Sequence, residues 1–177
     1  MTKDSSWRVR MVIFELLGFL GLCFEKDDKV KDVLLLFYSY LDQSAAMVRN
    51  EGIKQSTALA KVFGDDWITK EFIPQVHKMY DREKKGYNYR ICYINSMAAV
   101  MPYMKKDSIN SMVLPYFIKA IQDDVPNVSF CVCKRIKENR VYIDQNMFKT
   151  KLEGPLKEKQ AHQDDDVKYY AEKALQS

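Results

Sequence analysis

The chain has 177 residues, with 28 Lys and Arg against 24 Asp and Glu and a net charge of +4. That balance excludes a general nucleic-acid coat but allows a local basic patch, and a composition 47% apolar and 29% charged excludes a disordered chain. With only 6 Gly and 5 Pro, turns are too scarce for a β-sandwich, and helices are expected.

Taken in chain order, apolar residues recur at helical spacing over roughly 6–23, 27–41, 45–63, 66–80, 87–104, 107–121, 127–141, 145–162 and 166–176. The first of these holds the most apolar run, Met11 to Phe24, interrupted only by Glu15. Its 14 residues fall short of the roughly 20 that span a bilayer. Asp4, Glu15 and the lack of a small-residue cleavage site argue against a signal peptide, so a soluble, unprocessed protein is expected. Asp-rich turns divide the later helices into pairs: Asp42-Gln43, Asp81-Arg82, Asp123-Asp124 and Asp164-Asp165-Asp166. Their carboxylates are expected to cap the second helix of each pair. Second helices carry apolar stripes, Val9, Val12, Ile13, Leu16, Leu17 and Leu20 in one and Val128, Cys131, Val132 and Ile136 in another. One such stripe cannot bury itself, so stacked neighbours are expected to cover it. Pro74, Pro115 and Pro155 fall inside first helices and predict kinks there.

The pairs repeat. An acidic residue is followed by an apolar one at 9, 48, 89, 128 and 167, at separations of 39, 41, 39 and 39, with Arg10, Arg49, Arg90, Ser129 and Lys168 next in line. The prolines recur 41 and 40 residues apart. A period near 40 with two helices per unit and a kinked first helix predicts an all-α, right-handed α-solenoid of HEAT repeats. About four and a half repeats are expected as one array over 1–177: a half repeat 1–24, then repeats near 25–64, 65–105, 106–143 and 144–177. Because Asp4 has no first helix before it, an exposed apolar end is expected on that side, and self-association through uncapped ends.

Little in the chain suggests catalysis. There is no P-loop, no Gly-x-Ser-x-Gly, and His77 and His162 are the only histidines. Cys131-x-Cys133 has no second pair to complete a zinc site, so no cofactor and no metal are expected. Cys23, Cys92, Cys131 and Cys133 read as reduced, mostly buried thiols of a cytoplasmic protein, or one that is also nuclear. Asp164-Asp165-Asp166 lacks the Gly and Glu of a calcium loop and reads as a helix cap. The basic run Lys134-Arg135-Lys137-Arg140 reads as a solvated helix end, where cations also oppose the helix dipole. Arg10, Arg49, Arg90 and Lys168 read as a ladder, each pairing with the Asp of a neighbouring repeat. Trp7 and Arg8 stand apart from the apolar stripe on the turn side, the make-up of an interface anchor.

The stretches Ser6-Trp7-Arg8-Val9-Arg10, Lys61-Val62-Phe63-Gly64-Asp65-Asp66-Trp67, Val125-Pro126-Asn127-Val128 and Asp164 to Leu175 resemble the C-terminal HEAT repeats of the scaffold (A, structural) subunits of protein phosphatase 2A. The resemblance runs along nearly the whole chain in the same order. It implies a non-catalytic scaffold whose intra-repeat turns hold a serine/threonine phosphatase catalytic subunit, with regulatory subunits binding elsewhere. It assigns partner contacts to Trp7 and Arg8, to Tyr87 and Arg90, and to Val125 and Asn127. The chain departs from that pattern at Ala45-Ala46, where the family has an aromatic residue, and at Ser129, where it has Arg. The rival readings are a generic HEAT adaptor and a HEAT protein that binds nucleic acid through a basic concave face.

Overall fold

A computed structural model describes residues 4–23, 36–80 and 86–177. The turn Asp81-Arg82 and most of the helix expected at 27–41 lie outside these residues. No strand occurs among the described residues, and none of their helices is long and apolar enough to cross a membrane. The chain divides into two compact units, Met1–Glu83 and Lys84–Ser177. The division falls between the two helices of the repeat expected near 65–105.

The first unit contains α1 (Trp7–Cys23), a 3-10 turn (Tyr38–Asp42), α2 (Ala46–Trp67) and, after a π-helical turn at Ile68–Phe72, α3 (Ile73–Tyr80). Its core is aromatic. Phe14 of α1 meets Tyr40 edge-on at 6.4 Å, Tyr40 lies 5.3 Å from Phe37, and Tyr38 lies 6.0 Å from Phe72. All five rings are buried, and each contributes on the order of 2–3 kcal/mol of hydrophobic stabilisation. Gly52 allows the closest approach, because a Cβ there would stand 2.0 Å from Cγ of Tyr40. Within α2 the helix breaks at Gly64, with φ 70° and ψ −165°, a conformation essentially restricted to glycine. That break is where the sequence separates a helix near 45–63 from the next one.

The α1 stripe, expected both to need a covering neighbour and to form an exposed apolar end, is mostly solvent-facing. Leu17 is buried, along with Phe14, but Val9, Val12, Leu16 and Leu20 are exposed. α1 packs on α2 through its opposite side.

The second unit runs α4 (Tyr87–Val100), α5 (Lys106–Ser108), α6 (Leu114–Ile121), α7 (Pro126–Glu138), α8 (Gln145–Met147), α9 (Glu153–Lys159) and α10 (Asp165–Leu175). α7 packs between α4 and α10, and α9 packs on α6 and α10. Here the expected stripe is covered: Val128, Val132 and Ile136 are fully buried and Cys131 nearly so. Ile94, Met97, Phe117, Leu152, Leu156 and Val167 complete the core from the neighbouring elements.

The prolines take a more particular form than a kink. π-helical turns at Ile68–Phe72, Ile109–Val113 and Phe148–Leu152 stand just ahead of Pro74, Pro115 and Pro155. A proline ring collides with the carbonyl four residues back, which belongs to Lys70, Ser111 and Lys151. Each of those residues lies inside a π turn, whose wider ring of hydrogen bonds moves that carbonyl aside. The 40-residue period is therefore also a period of backbone geometry.

Of the turns expected to cap a second helix, Asp164 does so by accepting from the Val167 amide at 3.1 Å; Asp144, which is not among them, caps the short α8 by accepting from Asn146 and Met147. Asp4 and Asp123 instead accept from the amides two residues on, Ser6 at 2.8 Å and Val125 at 2.9 Å. These are Asx turns that set the chain up for the helix without capping it.

Candidate partner-binding turns

The six residues assigned to partner contact all lie at the start of a second helix. Trp7 and Arg8 open α1 in the first unit. In the second, Tyr87 opens α4 with Arg90 in its first turn, Val125 precedes α7, and Asn127 lies in the first turn of α7. Arg8, Tyr87 and Asn127 are exposed, whereas Trp7, Val125 and Arg90 are half-buried. The Arg8 guanidinium stacks over the Trp7 ring, 4.7 Å from its centroid, which orders an otherwise flexible cation at the helix start.

The position after each repeat anchor is occupied by a residue that fastens a turn. Arg10 donates to the carbonyls of Asp4 and Ser5. Arg49 donates to those of Gln43 at 2.7 Å and Ser44 at 2.8 Å. Ser129, at the matching position of α7, donates to the carbonyls of Ile121 at 2.9 Å and Asp123 at 3.1 Å. A buried hydroxyl thus does for its turn what a guanidinium does for the others. Lys168 pairs with Asp165 at 2.7 Å in its own helix, and this pair holds the exposed Asp165 carboxyl below its ordinary range. Among the described residues, the expected ladder between repeats is seen at Arg90; the Asp42 side chain and Asp81, which Arg10 and Arg49 would meet on the same pattern, lie outside them. Arg90 Nε lies 2.6 Å from Asp123 Oδ2, and its Nη2 donates to Oδ1 at 2.9 Å. Since Asp123 Oδ1 also accepts from the Val125 amide, Arg90 links the start of α4 to the turn that carries Val125 and Asn127.

Beside that turn lies an open groove of about 810 Å³, lined by Asp124, Pro126, Glu158, Lys159, His162 and Asp164 among others. Gln122 closes one side by donating to Glu158 Oε2 at 2.8 Å. His162 Nδ1 accepts from the Asp164 amide at 3.0 Å, so a proton on the neutral ring sits on Nε2. Sequence reasoning assigned Asp164 to capping and left Glu158 and His162 without a role. The 40-residue offset between Asp124 and Asp164 is the one signal that brings them together.

The basic run is largely engaged within the fold. Arg135 Nε donates to Asn95 Oδ1 on α4 at 2.7 Å, and Nη1 meets Glu138 at 2.5 Å. Lys134 lies over the Tyr170 ring at 5.7 Å, and Arg140 over Phe148 at 4.0 Å. Of the four cysteines, Cys92, Cys131 and Cys133 are buried and Cys23 is exposed. Burial pushes the Cys131 thiol up to about 11 and the Cys133 thiol to about 12. No cluster of His, Cys, Asp and Glu suited to a metal occurs among the described residues.

No protein-family profile matches the chain. Over 125 residues it is 27% identical to the regulatory A subunit of protein phosphatase PP2A from Saccharomyces cerevisiae, an alignment covering 66% of this chain and 19% of that protein. Its fold resembles Cex1p, with a TM-score of 0.69 and 13% identity over 98% of this chain and 33% of that one. It also resembles a designed armadillo repeat protein, with a TM-score of 0.51 and 14% identity over 98% of this chain and 77% of that one. Paired helices at a 40-residue period, repeating π turns and these likenesses agree: the chain is an all-α helical-repeat protein of the solenoid class, similar in sequence to the regulatory A subunit of protein phosphatase PP2A.

Proposed function

We propose that the chain is a non-catalytic scaffold that holds a serine/threonine phosphatase catalytic subunit on the turns preceding its second helices. The sequence likeness to the regulatory A subunit of PP2A motivates the reading. The observation that carries it is the placement of Trp7, Arg8, Tyr87, Val125 and Asn127. All five lie within three residues before an apolar repeat anchor, at the start of three of the second helices. An aromatic ring with a stacked guanidinium is a common anchor at protein interfaces. The neighbouring groove, lined by Asp124, Glu158 and Asp164, offers carboxylates to a basic side chain of the partner. Arg90 contributes by fixing the turn through Asp123, and its remaining exposure leaves one edge for the partner. The reading places the protein in the cytoplasm, where its four thiols stay reduced.

Isothermal titration of the chain with a PP2A-type catalytic subunit tests it. Saturable one-to-one binding is expected. An absence of heat and of pull-down at tens of micromolar removes the proposal.

A further inference from the structure

We propose that the open side of the second helices in the second unit, along Phe130, Lys134, Tyr169, Tyr170 and Lys173, is a docking strip for an extended acidic segment of a partner protein. The strip lies on the sides of α7 and α10 rather than on the turns, so it goes beyond the scaffold reading and does not depend on it.

α7 is packed by α4, α6 and α10. Val128, Ser129, Cys131, Val132, Cys133 and Ile136 are buried against them. Asn127, Phe130, Lys134 and Lys137 are half-buried or exposed, and their spacing of three, four and three places them on one side of the helix. Because α4 and α10 flank α7 within the unit, that side is open in the interior of the array. Tyr169 and Lys173 hold on α10 the places that Phe130 and Lys134 hold on α7, 39 residues earlier.

The strip has an aromatic floor and two cations without a counter-charge. Tyr170 meets Phe130 edge-on at 5.1 Å and Tyr169 edge-on at 5.1 Å, so three rings run from one helix to the next. Lys134 lies over the Tyr170 ring at 5.7 Å. Lys173 lies over the Tyr169 ring at 5.6 Å and donates to Gln176 Oε1 at 3.0 Å. Both sets of contacts are with neutral groups. Among the described residues no carboxylate pairs with either ammonium, whereas Lys54, Lys70, Lys157 and Lys168 each have one. The nearest candidates are engaged: Glu138 by Arg135 at 2.5 Å and Glu172 by Gln176 at 2.8 Å. A ring orients an ammonium while leaving its charge in place, so each is set for an anion from outside.

Spacing and charge select the occupant. Packed helices lie about 8–10 Å apart, which sets the separation of Lys134 and Lys173. A polyproline II segment returns residues i and i+3 to the same side, about 9 Å apart. Alternate residues of a strand, about 7 Å apart, fall short. A segment with Glu or Asp at i and i+3 therefore brings one carboxylate to each ammonium and lays the residues between them over Tyr170. A single-stranded nucleic acid fits less well. It carries a charge at every nucleotide, and the exposed carboxylates of Glu138, Asp166 and Glu172 stand on the same two helices.

Fluorescence anisotropy of a labelled Glu-Pro-Leu-Glu peptide, titrated with the whole chain, tests this, with circular dichroism confirming that each variant is folded. Saturable binding is expected below about 1 mM. Gln-Pro-Leu-Gln should bind about tenfold more weakly, and the isomer Glu-Leu-Glu-Pro, of equal charge, about threefold more weakly. Lys134→Glu and Lys173→Glu should each weaken binding about fivefold, Lys134→Arg should retain it, and Lys70→Glu, remote in the first unit, should leave it unchanged. No saturation, equal affinity for the Gln peptide or for the isomer, or an equal loss with Lys70→Glu overturns the proposal. A single-stranded RNA oligonucleotide that binds more tightly than the peptide and loses affinity with Lys134→Glu overturns it too, in favour of nucleic acid. None of these readouts involves a phosphatase, so failure here and failure of the scaffold reading are separate results.

Discussion

Arg90 and Asp123, 33 residues apart, are joined by two contacts, Nε to Oδ2 at 2.6 Å and Nη2 to Oδ1 at 2.9 Å. The Asp123 side chain is only 12% exposed and the Arg90 side chain 27%. Such a forked, partly desolvated pair is stronger than a surface ion pair, which contributes about 0–1 kcal/mol. Arg90→Ala leaves Asp123 with the Val125 amide as a remaining partner. It is expected to cost about 1–2 kcal/mol. A double-mutant cycle with Asp123→Ala should give a coupling energy of about 1 kcal/mol or more by denaturant unfolding. Additive losses would show that the two residues act independently.

Trp7→Ala with Arg8→Ala should weaken catalytic-subunit binding by about 2–4 kcal/mol, or roughly thirty- to a thousandfold, with little change in melting. Both side chains lie outside the buried set of α1. Asn127→Ala should cost less, and Lys134→Ala least, because Lys134 is turned onto Tyr170. Titration calorimetry ranks the variants. Equal affinities for all of them would remove the turns from the interface.

Two glycines should differ in how they fail. Gly52→Ala drives a methyl to within 2.0 Å of the buried Tyr40 ring, and overpacking of this kind costs about 1–3 kcal/mol or more. Gly64→Ala meets no atom within 4 Å, and its cost comes from the backbone at φ 70°, about 1–3 kcal/mol. Near-ultraviolet circular dichroism should therefore change with Gly52→Ala, which disturbs the aromatic cluster, and hardly at all with Gly64→Ala. Urea titration supplies the magnitudes.

The native chain should expose one fast-reacting thiol, Cys23, to a disulfide reagent at pH 8. Cys92, Cys131 and Cys133 should react only as the fold opens. The burial that raises Cys131 and Cys133 to about 11 and 12 also sets a pH dependence. Unfolded thiols lose their protons near pH 8.5, so above that value the unfolded state binds fewer protons than the native one. Stability then falls as pH rises, until the native thiols ionise as well. The urea midpoint should drop between pH 8 and 10 by more in wild type than in Cys131→Ala, Cys133→Ala. Equal slopes would show that these thiols are not the source.

Much of this protein follows from short-range rules. Apolar spacing placed second helices at 6–23, 87–104, 127–141 and 166–176 within a few residues of α1, α4, α7 and α10, because helical periodicity needs no knowledge of what lies opposite. The 40-residue recurrence of Asp turns and prolines carried the repeat class. What the prolines do to the backbone depended on the turn before them. A ring colliding with a carbonyl four residues back can kink a helix or widen it, and in this fold it stands behind π turns whose first and last residues are buried.

The roles of charged and apolar side chains were decided only in three dimensions. Arg10 and Arg49 are seen fastening their own turns and Arg90 reaching Asp123 of the next, contacts that recurrence along the chain does not specify. Ser129 looks like a missing charge until its buried hydroxyl is seen tying down two carbonyls. The apolar stripes of α1 and α7 are alike in sequence, but α7 lies between α4 and α10 whereas α1 is packed by α2 on its opposite side. Periodicity shows that a helix has a greasy side, and only the placement of neighbouring elements determines whether that side is core or surface.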